Sequence, residues 1–256
     1  MFIPLHDANS LKYIQAQYVT IGLIVVNVVV FAITSLGTED FTNAAVIELG
    51  YIPSTIYDYA ERPPELTLVP DYATFITYAF LHSDIFHLGG NMLFLWVFGD
   101  NVEDALGHFR YLVFYLLCAA AGAFVHGMMI HESQAPLIGA SGAIAGVVAA
   151  YLILHPEVKI WVLAFARIPL RLPAYIVLAL WIGFQLVMFL AGGEEQISWG
   201  AHVGGIVAGA VLVFILHRRD QPVLDRQIVT PRAVHVEERS AVQPVEREPA
   251  PRWGRQ

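Results

Sequence analysis

The sequence predicts an all-α fold, a polytopic membrane bundle of six transmembrane helices. Three observations carry that reading. The 256 residues are 57% hydrophobic and only 14% charged, whereas a soluble domain carries about 25% charged residues. Six stretches come close to the roughly 20 apolar residues needed to cross the hydrocarbon core. Threading the chain through six spans also puts 13 of its 14 Lys and Arg residues on one side.

The first span, Tyr18–Leu36, is a Val/Ile-rich run without a charge. It is too long for the apolar core of a cleaved signal peptide, and no small-x-small cleavage site follows it. The later spans are Ile85–Ala105, Phe109–Ile130, Leu137–His155, Pro173–Ala191 and Trp199–His217. Between the fourth and fifth lies "VKIWVLAFARI" (158–168), which is apolar, too short to span, and carries Lys159 and Arg167. It is expected to lie along the membrane surface. Basic residues mark the cytoplasmic side, and only Arg62 falls outside. Both termini are therefore expected in the cytoplasm, with the chain in a bacterial-type inner (cell) membrane.

Residues 1–17 read as a cytoplasmic N-terminal segment, 18–217 as the six-helix membrane domain, and 37–84 as a long outer loop folding against the outer leaflet. Residues 218–256, rich in Pro, Arg and Glu, read as a disordered cytoplasmic tail. The formal net charge of -8 argues against a nucleic-acid partner. The lipid bilayer is the evident partner. The single cysteine, Cys118, permits no disulfide framework or thiolate metal cluster, and it reads as a small apolar side chain.

Polar side chains inside a span are costly and tend to face a cavity or a partner. The second, fourth and sixth spans all run from outside to inside. Near their outer ends they carry His87 and Asn91 ("HLGGN"), Ser141 ("GASG") and His202 ("AHVGG"). At about 1.5 Å rise per residue, all four lie within roughly 10 Å of the outer edge. His87 and Asn91 stand one helical turn apart and share a face. Taken singly, each is more often a packing or backbone-satisfying group. Together they place a hydroxyl, two imidazoles and an amide in one shallow layer.

A hydrogen bond between Ser141 and His202 needs about 2.6–3.2 Å, so the two helices must touch. Gly142-xxx-Gly146 and Ala201-xxx-Gly205-xxx-Gly209 are small-residue faces of the kind that allows this. Gly139 and Gly142 are expected to leave room for a substrate backbone. No acidic residue in any span reaches the outer layer, so the chemistry expected is a Ser-His dyad without a carboxylate.

"GASG" (139–142), "AHVGGIVAG" (201–209), "HLGGN" (87–91) and "GDNVEDALG" (99–107) stand in this order, and they resemble the motifs of the rhomboid intramembrane serine proteases. The likeness runs from about Asp71 to His217. It implies Ser141 as nucleophile and His202 as general base. Asn91, His87 and the Ser141 backbone N–H would hold the oxyanion, and Glu103 would be a structural carboxylate. It also implies single-span membrane proteins as substrates, cut near an easily unwound outer helix end, with no cofactor. Two features depart from the pattern. The outer loop has Arg62 but no Trp beside it, and Ala145 stands where some members carry a tyrosine that stacks on the base.

The polar outer set His82, Ser83, Asp84, Ser133 and Gln134 is expected to line a water path to the site. The connection "AGGEEQIS" (191–198) reads equally as a mobile lid or an ordinary link. Three rival readings compete with this one. A catalytically silent relative that binds transmembrane helices would usually lack the serine or the histidine. A metal transporter would need His or Glu pairs within a span, so no metal site is assigned. A soluble α/β-hydrolase needs Gly-x-Ser-x-Gly, which Ala143 breaks. Oligomeric state is left open.

Overall fold

A computed structural model describes residues 2–67, 69–165, 167–192, 198–221, 223 and 224. The expected tail therefore lies almost wholly outside the described residues, as do residues 193–197 of the candidate lid. Nine α-helices and three strands are described: β1 (Phe2–Asp7), α1 (Tyr18–Leu36), α2 (Glu39–Leu49), α3 (Pro53–Ile56), α4 (Thr74–Thr77), α5 (Ile85–Leu106), α6 (His108–Met129), α7 (Ser141–Leu154), β2 (Lys159–Ala164), β3 (Ile168–Pro173), α8 (Ala174–Ala191) and α9 (Trp199–Leu216).

The bundle is built from α1, α5, α6, α7, α8 and α9. Four of these (α1, α6, α8 and α9) are long and apolar enough to cross a membrane by length and composition. Helix α5 is as long as α6, but its final turns carry Asp100, Glu103 and Asp104. Helix α7 is apolar and has only 14 residues, eleven of them buried. It packs against α5, α6, α8 and α9, which makes it the centre of the bundle.

Two starts and stops differ from the hydropathy reading, and both matter. The fourth span begins at Ser141 rather than Leu137. Residues 137–139 are not helical, because Leu137 pairs with Tyr51 in both directions at 2.8 and 3.1 Å and the Gly139 N–H donates to the Tyr78 carbonyl at 3.0 Å; Ala140 then turns into the helix. Hydropathy cannot mark this break, since these residues are as apolar as the helix. At about 1.5 Å per residue α7 spans roughly 21 Å, short of the roughly 30 Å hydrocarbon thickness. One of its ends must therefore sit below a membrane surface, where irregular backbone is tolerated only if protein satisfies it. Tyr51 and Tyr78 of the outer loop do so, and both are almost fully buried. The loop thus folds onto the bundle and not merely against lipid.

The second correction concerns residues 158–168. They pair as strands rather than standing alone as an apolar segment. Lys159–Ala164 alternates exposed and buried residues and pairs with Ile168–Pro173 as an antiparallel hairpin, to which β1 adds a third strand. Residues 1–17, expected as a cytoplasmic N-terminal segment, thus hold an edge strand, with Pro4 at a register irregularity. Such a position tolerates a residue without an N–H.

Candidate active site

The hydroxyl of Ser141 lies 2.9 Å from Nε2 of His202. The glycines explain how α7 and α9 come so close. A methyl group added at Gly205 would overlap the Gly142 carbonyl, and one at Gly209 would overlap the Gly146 backbone. At Gly146 it would meet Cys118 Sγ at 2.5 Å. Cys118 is fully buried there as an apolar wedge from α6.

The expectation that Gly139 and Gly142 leave space for substrate is not met. A Cβ at Gly139 would stand 2.6 Å from His87 Nε2, and one at Gly142 would stand 3.0 Å from the Tyr78 hydroxyl. The missing side chains are replaced by the protein's own groups. Gly139 also needs its freedom for conformation, since its φ of 116° is one that L side chains rarely adopt.

Because α7 starts at Ser141, the hydroxyl sits on the first helical residue. Ala140, the N-cap, offers no side-chain cap. The first N–H groups of a helix have no intrahelical acceptor, and the helix dipole places roughly half a positive charge there. This corner can therefore hold negative charge beside the serine oxygen. The side-chain amide of Asn91, 8% exposed, adds an Nδ2 donor with no partner.

The other ring nitrogen of His202 carries a feature that no sequence motif announced. Nδ1 lies 2.7 Å from Oε1 of Gln185 on α8, and Gln185 is only 4% exposed. An amide oxygen can only accept, so Nδ1 carries the hydrogen and Nε2 turns its lone pair to Ser141. Trp181 and Trp199 flank the imidazole at 6.2 and 5.9 Å between ring centroids. These groups fix the ring where Ala145 supplies no stacking partner. A lone Gln in "WIGFQLVMFL" gives one signal only, that of a polar residue inside a span.

Two further positioning contacts were missed. Ser198 caps α9 by accepting from Ala201 N at 3.0 Å, and its hydroxyl meets His126 Nδ1 at 2.6 Å. The cap ties the start of α9, and with it His202, to α6. A Ser immediately before "WGAH" is a legible N-cap signal. Tyr78 donates to the Ala119 carbonyl at 2.8 Å and wedges between α6 and α7 beside Gly122 and Gly142.

Of the expected water-path residues, Asp84 is committed elsewhere. Its carboxylate caps α5 by accepting from Phe86 and His87 N–H at 2.8 and 2.9 Å. The His87 N–H above all, with the Ser83 hydroxyl, holds its pKa below the usual carboxylate range. The Ser83 hydroxyl lies 2.8 Å from Asp84 and 3.1 Å from His87 Nδ1. His82 packs edge-on against the His87 ring, and burial pulls its pKa down to about 4.

At the other end of α5, Glu103 is fully buried. It accepts from Val19 N, Thr20 N and Thr20 Oγ1 at 3.0, 2.8 and 2.7 Å, and it contacts His108 Nδ1. Asp104 accepts from the N–H groups of Lys12, Tyr13 and Ile14 at 2.7–2.8 Å. Both carboxylates clamp the entry of the chain into α1.

Comparison with known proteins finds relatives of this chain. The family model described as "Rhomboid domain" matches residues 70–219. Rhomboid protein 1, mitochondrial, of Saccharomyces cerevisiae is 30% identical over 66% of this chain and 49% of its own length. RHOMBOID-like protein 12, mitochondrial, of Arabidopsis thaliana is 29% identical over 54% of this chain and 44% of its own. Rhomboid-like protease 3 of Toxoplasma gondii is 28% identical over 64% of this chain and 63% of its own. The chain spans about half the length of the curated relatives it matches. It is a multi-pass membrane protein, and it belongs to the rhomboid family.

Proposed function

We propose that this chain is an intramembrane serine endopeptidase working through a Ser141-His202 dyad. The single observation that carries the reading is the 2.9 Å contact between Ser141 Oγ and His202 Nε2 at an uncapped helix start. His202 Nε2 takes the hydroxyl proton as Oγ attacks the scissile carbonyl. The imidazolium then returns a proton to the leaving amine, and water resolves the acyl-enzyme. Asn91 Nδ2 and the Ser141 N–H donate to the oxyanion. Gln185 acts through His202 as a positioning residue, doing with a neutral amide what a triad does with a carboxylate.

His87 is the third proposed oxyanion donor, and its proton inventory sets a condition. If Ser83 gives its hydrogen to Asp84, then His87 Nδ1 donates to Ser83 and Nε2 has none to offer. His87 therefore assists when Ser83 turns its hydroxyl to Nδ1, or when the ring is doubly protonated.

The proposed substrates are single-span membrane proteins whose outer helix end unwinds to present extended backbone. We place both termini on the cytoplasmic side of a bacterial-type inner membrane, on the strength of the basic-residue asymmetry. The organellar locations in the relatives' names are stated for those proteins. Residues 18–217 are the proposed protease domain.

Fluorophosphonate labelling of the full chain in a bilayer tests the reading. Wild type should be labelled, Ser141→Ala should not, and His202→Ala should react far more slowly. Labelling that persists in Ser141→Ala, or is missing from wild type, would leave the silent helix-binding relative as the better account.

A further inference from the structure

At the face that carries both described chain ends, the start of α1, the Gly107 turn between α5 and α6, and the end of α9 border an open cavity of about 1290 Å³. Its wall has two chemistries. Arg110, Arg218 and Arg219 line it, with Asp220 as the one carboxylate among them, and so do the apolar side chains of Phe109, Phe214 and Ile215. The three apolar side chains are 77%, 55% and 68% exposed, as expected of groups that face lipid.

Arg218 is held in place. Its guanidinium lies 5.2 Å from the Tyr13 ring centroid, its Nε is 3.6 Å from Asp220, and its N–H donates to the Ala105 carbonyl at 2.9 Å. Arg110 and Arg219 are exposed, and among the described residues neither has an ion-pair partner. Helix α6 begins beside them at His108 with no side-chain cap, so its first N–H groups add to the positive end. In a chain of net charge -8, this convergence of cations is not an average of the composition.

We propose that this cavity binds the headgroup of an anionic phospholipid drawn from the leaflet on that side. The arginines and the α6 terminus take the phosphate, while Phe109, Phe214 and Ile215 carry the glycerol and the first acyl carbons. A soluble anion would use the first set and leave the second wetted; a zwitterionic lipid would use the second and only partly satisfy the first. Basic pockets between transmembrane helices on this side suit such headgroups. The inference is independent of the protease reading.

Native mass spectrometry of the full chain, offered equal phosphatidylglycerol and phosphatidylcholine, tests it. Wild type should retain one phosphatidylglycerol with at least about tenfold preference. A basic residue at an anionic surface contributes roughly fivefold in binding. Arg110→Ala and Arg219→Ala should each lower retention about that much, and the double variant by about 25-fold. Removing equal charge from the hairpin on the same face, by Arg167→Ala with Arg171→Ala, should leave retention unchanged. Three results would overturn the proposal: an unchanged ratio in the Arg110/Arg219 double variant, an equal loss in the hairpin control, or displacement of the lipid by millimolar inorganic phosphate.

Discussion

The two ends of α5 bury similar groups and leave them in opposite conditions. At the end near the termini, Glu103 and Asp104 are saturated, with every backbone donor they face aligned at 2.7–3.0 Å. At the other end, Asn91 keeps an unpartnered donor, and the Ser141 hydroxyl stands at a helix start with no side-chain cap. Saturated polar groups hold structure, because any change leaves something buried and unpaired. Groups with spare hydrogen-bonding capacity can accept a new species. Substitutions at the two ends should therefore fail in different ways.

The largest effect is expected at the saturated end. Glu103→Leu strands three donors, two of them buried and that of Val19 part-buried, at roughly 1–3 kcal/mol each, so stability should fall on the order of 3–9 kcal/mol. A lowered thermal unfolding midpoint, with unchanged activity per folded molecule, would confirm a structural role; lost activity at full stability would break the comparison. At the open end, Asn91→Ala should cost about 10²–10³ in cleavage rate and leave the midpoint within error. If it unfolds the protein instead, Asn91 belongs with the saturated class.

Asp7 sharpens the comparison through pH. Burial, outweighing the Tyr151 hydrogen bond and nearby His6, raises its pKa to about 6. Tyr151 Oη and Asn101 Nδ2 sit 2.6 and 2.9 Å from Oδ2. An acid whose pKa rises on folding is held more tightly as the neutral form. Docking of β1 should thus be firmest below about pH 4, weaken as the pH climbs to about 6, and stay at the weaker level above it. Hydrogen exchange of β1 amides, corrected for intrinsic rates, should lose up to about two orders of magnitude of protection across that window. Asp7→Asn should abolish the dependence; an unaltered dependence would assign it to another group.

Gln185→Leu is the mildest change, about tenfold in rate, the worth of one buried hydrogen bond. Its distinguishing readout is the pH-rate profile, which should shift because the imidazole loses the acceptor on Nδ1. Gln185→Glu should restore the rate, whereas a merely structural glutamine would show neither the shift nor the rescue.

The spans were legible because hydropathy is a bulk property, and the Ser141, His202, His87 and Asn91 layer was legible because depth follows from rise per residue. Partners from other helices were not. Nothing in the string links Gln185 to His202, or Tyr78 to Ala119, since those pairings exist only once the helices pack. The start of α7 was hidden for another reason. Leu137–Ala140 is apolar whether helical or extended, and only the positive φ that Gly139 supplies ends the ambiguity. The β2 strand was not legible either: "KIWVLA" is a lysine followed by five apolar residues, its alternation shows only as burial once the sheet has formed, and its short length and cations suggested a segment lying along the membrane surface.

The three-stranded sheet has a consequence for biogenesis. Strand β1 precedes its partner β2 by some 150 residues, a stretch that a ribosome making 5–20 residues per second needs roughly 8–30 s to deliver. Throughout that interval the newborn N-terminal ribbon has no sheet to join. Its unpaired edge would template unwanted association unless a chaperone or the translocation machinery occupies it, so this clasp cannot close before β2 has been made.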